Sequence, residues 1–370
     1  MGPAILYTSA ADSGRAFAER WRGQQPVMCC VLAHTDTCLI SGLSAAGVSE
    51  ELRPLTPAAD AEVVLAGVPL CLPALPSNPL GAPGPAGITR AAARLGRFEV
   101  SFVGVGLRVW PLVECQRVAA EPGANIEHGE AVPEARRLLE EGRALGEQLA
   151  RRSSRIVLGE SVPGGTTTAL AVLLALGYAA DGRVSGSQPG NAHVLKSRVA
   201  HAALETAHIE LGGARQDPIG AVVQLGDPMQ PVVAGAALAA VESGASVLLA
   251  GGSQMLAVAA LIAAVSGPRA LDGMAVGTTR WIVADPAADV AGLAAEISSS
   301  LPILAVNLDF STSRHLALRT YEQFMVKEGV GAGGACIAGL LTREVTIEAL
   351  HAAIDDVYDE LLGVRSAGEG

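Results

Sequence analysis

The chain has 370 residues and a formal net charge of −11; half of its residues are apolar and 17% are charged. That length can bury one large or two ordinary domains. The acidic balance argues against nucleic acid or an anionic membrane as the main partner, and the abundance of Ala, Gly, Val and Leu suits a compact α/β enzyme packed through small residues.

Near the start, Asp12, Arg15, Glu19 and Arg20 interrupt any secretory signal, so a cytoplasmic protein is expected. The apolar run 231–240 is too short to span a bilayer. Six cysteines, at 29, 30, 38, 71, 115 and 336, form no C-x-x-C pair, which predicts free thiols and no zinc site. Cys336 reads as a core thiol. Apolar runs predict strands at 27–32, 63–66, 100–105, 155–159, 221–225, 246–251, 281–284 and 303–308. Between them, Ala135, Leu138, Leu139, Gly142, Leu145 and Leu149 form a helical stripe. Further helices are expected at 192–211, 231–241, 255–265, 289–297 and 315–325. Strands that are apolar throughout, alternating with helices, predict an α/β fold with a mostly parallel sheet covered on both faces. The segment 72–85 holds five prolines and two glycines and reads as a flap rather than a linker. The α/β core is taken as 1–345 and the C-terminal helix and tail as 346–370, fraying from residue 363.

The chemistry concentrates in two glycine-rich turns. The first, Gly159-Glu160-Ser161-Val162-Pro163-Gly164-Gly165-Thr166-Thr167-Thr168, joins an expected strand to an expected helix. Backbone N–H groups at such a turn favour an anion, usually a phosphate. Gly165 stands where a P-loop would carry its lysine, so the cradle lacks a local cation. The chain has only two lysines, Lys196 and Lys327, among 26 basic residues. A lysine kept against that arginine bias suggests a compact point charge, and Lys196 is the stronger candidate for the missing cation. Glu160, at the mouth of the turn, is suited to a ribose hydroxyl or to bracing the loop. Thr166, Thr167 and Thr168 either cap the following helix or contact phosphate. Gly226 and the pair Gly251-Gly252, each ending an expected strand, mark further places where backbone can approach a ligand. The second turn is Lys327-Glu328-Gly329-Val330-Gly331-Ala332-Gly333-Gly334. Glu328 there reads either as a general base or as an exposed helix-terminal charge.

These two turns resemble motifs of the nicotinate-nucleotide:dimethylbenzimidazole phosphoribosyltransferase family, and the chain is similar to a divergent archaeal and cyanobacterial branch of it. The first turn resembles the family's GEMGIGNTT loop and Glu328-Gly329-Val330-Gly331-Ala332 its GEGTGA motif. Lys196 falls where the family has a phosphate-binding lysine, and Gly226, Gly251 and Gly252 match later glycine turns. The resemblance implies a three-layer α/β/α, doubly wound fold with an added helical subdomain, working as a homodimer. It implies transfer of phosphoribosyl from nicotinate mononucleotide to a nitrogenous base, in cobamide lower-ligand activation. Glu328 would be the base, with Glu160, Gly164 to Thr168, Lys196, Lys327, Gly329 and Gly331 around the substrates. No metal or cofactor is implied, because the pyridinium leaves as neutral nicotinate nitrogen. Alternatives are transfer to adenine or another acceptor, or a nucleotide-binding regulator without turnover. Three positions depart from the family: Gly165 replaces an Asn, Val330 replaces a Thr, and Ala66-Gly67-Val68-Pro69 replaces Asp-His-Gly-Val. The last change falls on the acceptor side, so dimethylbenzimidazole is not expected to be the preferred base.

Overall fold

The structure, a computed structural model, describes residues 2–47, 49–73, 75, 77, 81–343 and 345–368. Parts of the proline-rich segment (74, 76 and 78–80) and the last two residues lie outside the described residues. Eight strands form one sheet: β1 (Ile5–Ser9), β2 (Val27–Ala33), β3 (Glu99–Val105), β4 (Gln116–Val118), β5 (Arg155–Ser161), β6 (Ser246–Ala250), β7 (Met274–Thr279) and β8 (Ile303–Val306). Their order is β1-β8-β7-β6-β5-β2-β3-β4, and every pair is parallel except β1 with β8. The winding direction reverses between β2 and β5, which opens a crevice beyond their C-terminal ends.

The sheet is apolar on both faces because side chains alternate across it. On β2, Cys29, Val31 and Ala33 join one core, and Met28, Cys30 and Leu32 join the other. Helices α1 (Ala11–Trp21), α2 (Thr56–Ala66), α3 (Ala86–Gly96), α13 (Ala332–Thr342) and α14 (Ile347–Gly368) supply the second core. The first is built from α4 (Ala135–Ala150), α5 (Gly165–Ala175), α6 (His193–Thr206), α7 (Pro218–Leu225), α8 (Met229–Glu242), α9 (Ser253–Ser266) and α11 (Val290–Ile297). Two single turns, α10 (Arg280–Val283) and α12 (Leu316–Arg319), complete the set. All six cysteines are free thiols.

Several expected elements change type. Residues 63–66 are the last turn of α2, closed by Gly67 at φ +82°. Residues 221–225 belong to α7, which Asp217 caps by accepting the Gly220 amide at 3.0 Å, with Pro218 at its first position. A short apolar run cannot separate a buried strand from a buried helix, and here the cap and proline decide. Gly226 therefore ends a helix rather than a strand. Residues 281–284 mostly form α10, and the helix expected over 315–325 is α12 followed by a 3₁₀ turn, Thr320–Gln323, which Phe324 ends in a left-handed conformation. Strand β7 escapes the apolar pattern because Gly277 sits against Leu248 and the hydroxyls of Thr278 and Thr279, both buried, donate to Glu328 and to the Lys327 carbonyl. Helix α14 continues to Gly368, past the point where fraying was expected.

Helices α4 and α8 approach backbone to backbone. A Cβ at Gly142 would lie 2.2 Å from the Val232 carbonyl oxygen, and one at Gly235 would lie 2.1 Å from that of Leu139. No rotamer change relieves a clash with main chain, so overpacking here costs on the order of 1–3 kcal/mol or more. Gly235→Ala is expected to lower the unfolding free energy by about that amount, read as a fall in the urea midpoint. Gly363→Ala, in α14 with open space around it, is expected to be neutral or to stabilise by up to about 1 kcal/mol. Equal midpoints for the two variants would show that the helix pair can separate freely.

Candidate active site

The crevice at the switch point is walled by residues 43–47 after β2, by the turn after β5, by Gly186, Ser187 and Gln188, and by Glu328 and Gly329. The β5–α5 turn has the expected strand–loop–helix form. Gly164 caps α5 at φ +81°, and a Cβ there would lie 2.9 Å from the Cys38 backbone, so only glycine fits on both counts. Gly164, Thr166 and Thr167 line the cleft. The Thr167 hydroxyl is buried with no partner among the described residues. The other two positions face inward. A Cβ at Gly165 would lie 1.9 Å from Gln254 Oε1. The Thr168 hydroxyl lies 3.0 Å from the Gly165 carbonyl and 2.5 Å from Asp227 Oδ2. Thr168 thus braces the turn rather than reaching the cleft.

Lys196, on the second turn of α6, enters the same cleft with 3% exposure. Its ammonium packs against Gly186, where a Cβ would lie 2.5 Å from Nζ, and it has no hydrogen-bond or ion-pair partner among the described residues. Burial, then repulsion by Lys327, lowers its pKa to about 8. The uncapped start of α5 and this free ammonium give one end of the cleft an anion-binding character.

The other end is acidic. The Val330 amide donates to the Glu160 carbonyl at 2.9 Å, so the two glycine-rich turns are pinned together. Glu328 Oε1 accepts the amides of Gly333 (3.0 Å) and Gly329 (3.3 Å), and Oε2 accepts from Thr278 Oγ1 at 3.3 Å. Burial nevertheless raises its pKa to about 7. Glu160 Oε2 accepts from Gln254 Nε2 at 3.0 Å, and burial, followed by repulsion from Glu328 and Asp227, raises it to about 8. The base turn rests directly on the ends of β5, β6 and β7. A Cβ at Gly333 would lie 2.1 Å from the Thr278 carbonyl carbon, and one at Gly334 would lie 2.3 Å from Ala250 Cβ.

A third carboxyl, Asp60 on α2, lines the same cleft and accepts from Ser161 Oγ at 2.7 Å; burial raises it to about 7. Sequence reading missed it. The available signal was an acid inside the alanine-rich run Pro57-Ala58-Ala59-Asp60-Ala61, where a charge gains nothing from solvent. Asp60 lies on α2 itself, the helix that ends at Ala66 just before the segment lacking the family's acid.

Lys327 is corrected as a substrate contact. It is fully buried, and its ammonium donates to Asp285 Oδ2 (2.7 Å), Asn191 Oδ1 (2.7 Å) and the Gln188 carbonyl (3.2 Å). All three of its donors are in use. Burial alone would raise Asp285, but Lys327, Asn191 and Ser185 together hold it below the usual carboxylate range. Gly251 and Gly252 follow β6; a Cβ at Gly251 would come within 3.5 Å of Glu160 Oε1, and Gly252 lines a side pocket shared with Glu160, Thr166 and Glu328. Gly226 leads into Asp227, and Gly331 packs on Gly159, so neither lines the cleft. Among the described residues no group of three or more His, Cys, Asp or Glu is placed to hold a metal, and no helix is long and apolar enough to cross a membrane.

The profile of a family described as DBI_PRT, phosphoribosyltransferase, matches residues 56–290. A UPF0284 protein of Gloeobacter violaceus is 44% identical over 96% of this chain and 94% of its own length. A UPF0284 protein of Methanothermobacter thermautotrophicus is 40% identical over 90% of this chain and 92% of its own. The crystal structure of nicotinate-nucleotide-dimethylbenzimidazole phosphoribosyltransferase from Thermus thermophilus superposes with a TM-score of 0.60 at 19% identity, covering 90% of this chain and 83% of that one. That likeness bears on the fold: the same doubly wound α/β architecture. The chain belongs to the DBI_PRT family of phosphoribosyltransferases, the nicotinate-nucleotide:dimethylbenzimidazole family, on a branch that it shares with the UPF0284 proteins of archaea and cyanobacteria.

Proposed function

We propose that this phosphoribosyltransferase takes nicotinate mononucleotide as donor and a nitrogenous base as acceptor, in the activation of a cobamide lower ligand, with Glu328 as general base. The observation that carries the reading is the partly buried Glu328 carboxyl facing a cleft that also holds the free Lys196 ammonium. The donor is itself polarised, with a dianionic 5′-phosphate at one end and a cationic pyridinium at the other. The phosphate sits on Lys196 and the start of α5, with Thr166, Thr167 and Gly164 beside it. The pyridinium and ribose then lie toward Glu160 and Glu328, where Glu160 accepts a ribose hydroxyl.

In the reaction the bond between C1′ and the pyridinium nitrogen breaks, and its electron pair stays on nicotinate. A ring nitrogen of the acceptor forms the new bond to C1′. The attacking nitrogen's lone pair is shared, the ring becomes cationic, and its N–H proton passes to a Glu328 oxygen. A pKa of about 7 leaves Glu328 substantially ionised near neutrality yet basic enough to take that proton. The Gly329 and Gly333 amides hold the carboxylate in place without neutralising it.

Two outcomes are expected. Glu328→Gln should lower turnover about 10²-fold or more while donor affinity changes little. In the unsubstituted enzyme kcat/KM should fall as pH drops through about 7, because protonated Glu328 cannot accept a proton, and this acid limb should vanish in the variant. Near-normal nicotinate release by Glu328→Gln would assign the residue to structure. Lys196→Ala should weaken donor binding by roughly 10- to 150-fold, the equivalent of one charge-assisted contact of about 1.5–3 kcal/mol. Calorimetry above pH 8 should show donor affinity falling in the unsubstituted enzyme as the ammonium loses its proton, and no such fall in the variant. Equal affinities at pH 7 would remove Lys196 from the phosphate site.

A further inference from the structure

The acceptor end of the cleft contains a polar atom that the transfer chemistry above leaves unused. Asp60 is 4% exposed. Its Oδ2 receives the Ser161 hydroxyl at 2.7 Å, but Oδ1 is buried with no hydrogen-bond partner among the described residues. A buried carboxylate oxygen left unpaired is costly, and such atoms call for an explanation. The surrounding side chains offer no N–H: Ala82, Gly84, Pro85 and Val326 line the cleft with it, and Val63, Ala86, Gly87, Leu361 and Tyr358, whose hydroxyl donates to the Gly84 carbonyl at 2.8 Å, line the small cavity that Asp60 shares. The wall is therefore largely apolar, suited to an aromatic ring, with Asp60 and Thr56 as polar groups on it. Asp60 shares the cleft with Glu328 and adjoins Glu160 through Ser161, so a ring held between them meets a carboxyl on more than one side.

We propose that Asp60 determines acceptor specificity: its free carboxyl oxygen receives a second N–H of the acceptor, so this enzyme prefers aromatic nitrogen heterocycles bearing an amino group over those bearing methyl groups. This rests on the transfer reading and specifies its acceptor class. A methylated base would leave Oδ1 buried and unpaired in the complex. An amino-substituted base, whether a purine or a benzimidazole, fills the same volume and supplies the missing donor. A site built to hydrogen-bond a substrate N–H discriminates strongly against an analogue lacking it, whereas apolar contacts alone discriminate weakly.

The test compares dimethylbenzimidazole with its isosteric analogue carrying amino groups in place of both methyls, with adenine as a third base. Nicotinate release from nicotinate mononucleotide is followed at about pH 8, above the value of about 7 that burial gives Asp60. The quantity read is the ratio of kcat/KM for the amino base to that for the methyl base. Because both rates come from one preparation, the folded fraction cancels. The unsubstituted enzyme should favour the amino base by about 10- to 150-fold, the range for a charge-assisted hydrogen bond. Asp60→Ala should bring the ratio close to one. Asp60→Asn keeps a neutral acceptor and should give an intermediate ratio, which a purely structural role would not produce. A ratio unchanged in Asp60→Ala, or a preference of the unsubstituted enzyme for the methyl base, overturns the assignment of Asp60 while leaving transfer intact. Absence of nicotinate release with every base overturns the transfer reading and the acceptor role together.

Discussion

The buried pair Lys327–Asp285 is the constraint on which the site depends. Its members lie 2.7 Å apart with almost no solvent access, and removing one partner of such a pair typically costs about 3–5 kcal/mol. The pair is also a junction. Asp285 takes the Ser185 hydroxyl at 2.7 Å, and Asn191 bridges Lys327 to the Gly186 amide. This network holds three consecutive left-handed residues, Gly190, Asn191 and Ala192, at φ +68°, +57° and +49°. The two non-glycine members each store on the order of 1–3 kcal/mol of strain. Those residues launch α6 and with it Lys196, while the peptide after Lys327 carries Glu328. The Lys196 end and the Glu328 end of the cleft are thereby tied to one buried ion pair.

Electrostatics then give the cleft a direction. Four acids near it, Asp60, Glu160, Asp227 and Glu328, are all raised, chiefly by burial. Each favours the protonated native state, so its contribution to stability is present below the unfolded carboxyl range near 4 and is lost as pH rises to about 8. The ionised site is the working site and also the less stable one. A ligand with a cationic ring and an anionic tail relieves both strains at once, placing positive charge among the acids and negative charge on Lys196.

Much of this was legible in the sequence. The Gly-rich turn between β5 and α5 announced itself through residue type, as did Lys196 through the scarcity of lysine and Glu328 through the glycines around it. The parallel sheet was legible in its all-apolar strands. What escaped were features set by tertiary context. Residues 221–225 and 63–66 look alike as strand or helix until the cap and the packing choose. The polar end of β7 hid a strand because those buried threonines hold the Lys327–Glu328 turn through their hydroxyls. Lys327 reads like Lys196 in one dimension, and only the fold turns one inward to Asp285 and the other toward the cleft. Asp60 lies earlier on the same helix that leads into the segment where the family pattern had placed an acid.

The seating of the base turn has a consequence for how this enzyme diversifies. Gly333 lies against the backbone of Thr278, and Gly334 against the Cβ and Cα of Ala250, with no room for a methyl group at either. The carboxylate proposed as general base is therefore positioned largely by main chain, through the Gly329 and Gly333 amides, with the Thr278 hydroxyl beside it. Drift in the surrounding core leaves that seating untouched. The acceptor wall is different, since Ala82, Gly84, Pro85 and Val326 meet the cleft through side chains and loops. That wall can be rewritten residue by residue, admitting new acceptors under the proposed reaction, while the seat of Glu328 stays fixed beneath it.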